Sequence, residues 1–122
     1  FEQEAENVVA LRNAAAALQP GGKMVIDFLN TERTIRTLVA HETKVVNGTT
    51  FQLHRHFHND FIVKEIRFRD ADGQEQAYEE RVRALSRERF EQYFGMAGLR
   101  VCEVLGDYHL APYDETRSPR MI

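Results

Sequence analysis

Residues 18–30, LQPGGKMVIDFLN, constrain the possible folds more than any other stretch of the chain. Proline cannot continue a helix, and two glycines give the backbone left-handed freedom, so Pro20-Gly21-Gly22 is a sharp stop. KMVIDFL follows at once and is almost continuously apolar, the pattern of a strand covered on both faces in a parallel sheet. Only Asp27 interrupts it, and a carboxylate buried there needs a partner. Such a strand demands parallel neighbours, and no second segment of this kind occurs in the 122 residues.

Upstream, Val8, Leu11, Ala15 and Leu18 recur at helical spacing and predict a helix from residue 3 to about 19. Glu2, Glu4 and Glu6 lie at its start, where acids suit the helix dipole. Downstream, Asn30-Thr31 leads into TERTIRTLVA, a short helix with Ile35, Leu38 and Val39 inward. Between residues 43 and 85 the pattern changes to alternation. Phe51, Leu53, Arg55 and Phe57 share one face of a strand, and Gln52, His54, His56 and His58 share the other. Asn59-Asp60 and the DADG stretch are turns, which predicts three antiparallel strands. Ser86 is an N-cap for a helix with Phe90, Tyr93, Phe94 and Ala97 on one face, ended by Gly98. LRVCEVLGDYHL reads as a strand running to Gly106, and APYDETRSPRMI as a loop with a last strand starting.

Composition removes several classes of function. With 43% hydrophobic and 29% charged residues the chain can build a core, and its net charge of −3 offers no basic surplus for nucleic acid. No apolar run reaches membrane-spanning length, and FEQEAENVVA has no signal-peptide pattern. The single cysteine, Cys102, cannot form an internal disulfide and reads as inert core, which fits a cytoplasmic location. The chain starts at Phe1 without an initiator methionine and stops on an apolar upswing, so both ends read as breaks in a longer protein.

The helix, the LQPGG turn and the KMVIDFLN strand together resemble the second half of class I S-adenosylmethionine-dependent methyltransferases, in which this turn precedes the fifth strand. ERVRALSRERFEQYFGMAGLRV resembles the following strand-to-helix segment. EVLGDYHLAPYDETRSPRMI resembles the closing strand hairpin, with its Gly-Asp-Tyr turn and Ser-Pro-Arg-Met-Ile ending. The resemblance covers essentially the whole chain. It implies an α/β fold: the C-terminal half of a Rossmann-like methyltransferase sheet carrying an inserted three-stranded antiparallel meander. Residues 1–42 hold the helix, buried strand and short helix, 43–85 the meander, and 86–122 the helix and closing strand hairpin.

It also implies a parent enzyme that uses S-adenosylmethionine to methylate a small molecule. The family's glycine loop and acidic ribose partner belong to strands preceding Phe1, and none of the seven glycines opens a helix after a strand. No residue here is therefore expected to bind the cofactor, and the 122 residues alone are expected to be inactive. An exposed sheet edge would favour a homo-oligomer. The competing reading is a non-catalytic α+β module that binds a ligand or partner on the meander.

Five residues are candidates for the substrate surface, and no catalytic residue is singled out. Asn30, at the tip of the buried strand, either orients a substrate or caps the following helix. Arg55 sits on an apolar strand face and needs an anion, either an internal carboxylate or a substrate group. Arg81 poses the same choice. Tyr108, with Asp107 in the GDY turn, either closes over a site or shapes a loop. His56 belongs to the alternating His54, His56 and His58, about 6–7 Å apart per step. Such a row can hold zinc with a third ligand such as His41 or His109, but a polar outer strand face explains it equally, and no metal is expected. Phe1 would lie near the cofactor of the parent.

Overall fold

The computed structural model describes residues 3–122, so Phe1 and Glu2 lie outside the described residues. In chain order the elements are α1 (Glu4–Ala17), β1 (Phe28–Leu29), α2 (Thr31–Arg36), β2 (His41–Val46), β3 (Thr49–His58), β4 (Phe61–Arg69), β5 (Glu75–Arg83), α3 (Arg87–Met96) and β6 (Arg120–Met121). They form two compact units: residues up to 36 with 85–122, and residues 37–84.

In the first unit, α1 stops at the turn the sequence predicts. Gly21 adopts φ +76°, and a side chain on Gly22 would meet the Gln19 carbonyl at 2.8 Å, so each glycine of the pair has its own reason to be there. α1 packs along α3, where the Arg12 guanidinium donates to the Met96 carbonyl at 3.2 Å. Ser86 caps α3, its hydroxyl accepting from the Arg89 amide at 3.3 Å. Phe90 then sets its ring edge-on to Phe28, 5.1 Å between centroids. β1 pairs antiparallel with β6, Phe28 opposite Met121 and Leu29 opposite Arg120. On the far side of β6, Leu105 and Ile122 exchange two backbone hydrogen bonds of 2.9 Å.

Two strands of the sequence reading are corrected here. Only Phe28 and Leu29 of the apolar run form a ladder, and among the described residues 23–27 pair with no strand. Val25 is 79% exposed, so the segment is not buried on both faces. Residues 100–104 likewise form no strand, and Cys102 is exposed rather than core. A strand exists only through hydrogen bonds to a neighbour, and these two apolar segments have β-type side chains without the neighbours that would pair them.

The second unit is a single antiparallel sheet in the order β2-β3-β4-β5. It has four strands, not three. The additional one, HETKVV, is too polar to show alternation, and it closes on β3 through Asn47-Gly48, both at positive φ. Asn59 and Asp60 also adopt positive φ, 48° and 63°, the primed geometry that matches strand twist. Asp70 organises the third turn by accepting from the Gln74 amide at 2.9 Å and the Gln76 side chain at 2.7 Å. Among the described residues, no helix is long and apolar enough to cross a membrane.

Candidate functional site

The polar groups of the first unit concentrate where residues 106–118 loop back against the tip of β1. Gly106 is buried against Ser118, whose hydroxyl accepts from the Asp114 amide at 2.8 Å. Asn30, 1% exposed, donates from its amide to the carbonyls of Glu115 at 2.7 Å and Ser118 at 2.9 Å. Its oxygen accepts from the Arg33 amide at 3.3 Å, capping α2. Asn30 therefore fastens the 114–118 turn to the start of α2, and its hydrogen-bonding capacity is filled within the protein. Thr31 adds a 2.9 Å bond to the Leu85 carbonyl.

Beside this knot, Asp27 accepts from Tyr108 Oη and from Arg120 Nε, both at 2.8 Å. The Arg120 bond, then the Tyr108 bond, hold the Asp27 carboxyl below its usual range, while Asp27 pushes the Tyr108 phenol up. Both shifts favour an ionised carboxylate accepting from a protonated phenol. The Tyr108 ring is 70% exposed with the Arg120 guanidinium 6.0 Å from its centroid. That pair offers a molecule in solution an aromatic face beside a cation. Asp107 shapes the loop instead, accepting from the His109 amide at 2.8 Å and the Ala111 amide at 3.1 Å.

A cleft of about 520 Å³ lies elsewhere in this unit, lined by Met24, Val25 and Ile26 on one side and Val101 and Val104 on the other, with Ile122 at its end. Residues of α3, Phe90 and Phe94 among them, line it as well. No Gly-x-Gly-x-Gly pattern occurs in the 122 residues.

The other three candidates belong to the second unit. Arg55 is half-buried and its guanidinium meets the Glu42 carboxylate at 2.7 Å, which holds the Glu42 carboxyl low. Its charge is balanced inside the protein. His56 pairs with Val63 and Val63 with Arg81, so His56 and Arg81 share a face of the sheet, opposite to that of Arg55. Arg81 lies over the Phe61 ring at 4.5 Å and 3.7 Å from Glu79. The partners missed by sequence reasoning, Arg120, Ser118 and Glu42, are distant in the chain, and only the doubtful burial of Asp27 and Arg55 hinted that partners were required.

No family model matches the sequence, and no curated protein does. Solved structures do. A S-adenosylmethionine-dependent methyltransferase from Clostridium acetobutylicum superimposes with a TM-score of 0.76 over 93% of this chain and 48% of its own, at 16% identity. The CcbJ methyltransferase from Streptomyces caelestis gives 0.73 over 93% and 50%, at 17% identity. The chain therefore has the fold of S-adenosylmethionine-dependent methyltransferases over about half of their length.

Proposed function

We propose that these residues are the C-terminal, substrate-side half of a cytoplasmic methyltransferase that transfers a methyl group from S-adenosylmethionine to a small molecule. The observation that carries this reading is the likeness to two such enzymes across 93% of the chain but only about half of theirs. Segments 23–27 and 100–104 support it, because both carry β-type side chains yet belong to no sheet in these 122 residues. The cofactor supplies a methyl on a sulfonium, already a good leaving group, so the protein's part is alignment and exclusion of water.

Tyr108 is the residue of the first unit proposed to touch the acceptor, with Asp27 and Arg120 fixing its hydroxyl. Asn30 and Arg55 act as positioning residues, since their polar groups are committed within the protein. His56 and Arg81 supply substrate recognition on their own sheet face, in keeping with specificity carried by elements outside a rigid scaffold. The 122 residues alone are inactive and associate with a second copy through the unpaired edges.

The test uses the 122-residue chain beside the whole protein of its source. Calorimetric titration with S-adenosylmethionine should give no heat for the former and saturable binding for the latter, with a strand followed by Gly-x-Gly-x-Gly ahead of Phe1. A source protein lacking that motif and failing to bind the cofactor sinks the enzyme reading and leaves the ligand-binding module. In the whole enzyme, Tyr108→Phe should raise KM for the acceptor and leave cofactor binding unchanged.

A further inference from the structure

We propose that His54, His56 and Glu65 form a binding site for a divalent transition metal of the zinc type on one face of the sheet of residues 37–84. This departs from the expectation of no metal, and the reason is the third ligand. His54 and His56 are two apart on β3 and therefore share a face. The β3–β4 register places Glu65 directly opposite His54, on that same face. One ligand atom from each of the three side chains lies within 4.8 Å of the others. Two imidazoles and one carboxylate are a common zinc donor set that leaves a fourth position for water. The strand backbones already hold the three residues in register, and zinc bonds of about 2.0–2.2 Å would draw their ligand atoms closer.

Two further observations point to a ligand. His56 Nδ1 is buried and has no hydrogen-bond partner, an uncompensated polar atom that a metal bond or a water would satisfy. His54 Nδ1 stands 3.8 Å from Glu65 Oε1, too long for a hydrogen bond and close enough for an ion to bridge. His41 stacks on His54 at 4.6 Å between ring centroids and fixes its plane. The competing charges on this face include Arg67, 3.7 Å from Glu65, Glu79, opposite Glu65 on β5, and Arg81, opposite Val63 and 3.7 Å from Glu79. Arg67 is largely exposed and free to swing aside, and Glu79 adds negative potential. His58 belongs to the same row but is exposed near the strand end and takes no part. His109 lies in the other unit, so neither of the histidines first considered as a third ligand is needed.

The experiment titrates the 122-residue chain with zinc chloride alone, following histidine side-chain signals by ¹H–¹⁵N NMR, and with cobalt chloride by visible absorption. The expected result is saturation at one equivalent, with His54 and His56 signals shifting and cobalt bands of four-coordinate type. Glu65→Gln should weaken zinc binding by at least about tenfold, the scale lost with even an outer-shell partner. His58→Gln should leave it unchanged. No shift at His54 and His56, or equal weakening in His58→Gln, overturns the proposal. Because the wild-type NMR readout needs no variant, a substitution that fails to fold does not rescue it.

Discussion

A side chain at position 106 has nowhere to go: a β-carbon there would lie 2.2 Å from Ser118 Oγ and 3.0 Å from the Pro112 carbonyl. The φ of Gly106 is not left-handed, so its requirement is for space, not for conformation. Gly106→Ala should destabilise by about 1–3 kcal/mol, as overpacking does, measurable by urea denaturation. Asn30 poses the opposite problem, because removing its amide strands buried carbonyls. Asn30→Ala should cost about 1–3 kcal/mol, and Asn30→Asp more, since a carboxylate oxygen then faces the acceptors of Glu115 and Ser118. Asp114 adds a pH signature. Bonds from Thr116 and then Arg117 pull its carboxyl down to about 2 from an ordinary 3.8. A depressed native pKa means stability that is fully present above about pH 4 and lost as pH falls through 2. In a carboxyl NMR titration Asp114 should be the late titrator, and Asp114→Asn should flatten acid unfolding in that window. Of these roles only the capping of α2 by Asn30 was offered by the sequence; its hold on the 114–118 turn was not. Gly106 and Asn30 act through partners 12 and more than 80 residues away, where sequence spacing says nothing, whereas the Asp114 partners Thr116 and Arg117 lie within its own turn.

Elements were legible where a local rule fixes both ends. α1 and α3 carry periodic apolar residues, a proline-glycine stop or a serine cap, and both lie where those signals put them. β3 alternates and is joined to β4 by a two-residue turn, so their register follows from the turn. β2 escaped because Glu42 and Lys44 sit on the face where alternation would put apolar residues. Its turn, Asn47-Gly48, was the available signal, one of the strongest short hairpin cues. That turn is testable by itself. A side chain on Gly48 meets nothing within 4 Å, yet φ is +80°, so any cost is conformational. Gly48→Val should destabilise the sheet by about 1–2 kcal/mol, while Gly48→Asn should cost much less. Equal losses for the two would show that space, not φ, governs the position.

For the molecule as a whole, the apolar run of residues 23–29 reads as a strand covered on both faces, but the structure pairs only its last two residues, Phe28 and Leu29, and leaves Val25 79% exposed. Beyond the β1–β6 pair, residues 23–27 and 100–104 belong to no sheet, and both contribute to the lining of the cleft of about 520 Å³. Segments outside any sheet beside exposed valine are the conditions under which sheets recruit another strand. The nearest source in solution of the 122-residue chain is a second copy, which brings two such segments of its own. Light scattering across a dilution series should therefore show concentration-dependent association. Val25→Lys should suppress it without loss of fold, because residue 25 is 79% exposed and contributes little to the monomer's core. Amide hydrogen exchange should slow at residues 24–27 on association, and stay fast in the lysine variant. In a longer protein whose own strands fill the cleft, the same amides should be protected at every concentration and association should vanish. A monomer at all concentrations, with fast exchange at 24–27, would mean that the edge is tolerated in water and that the half-sheet is a finished structure.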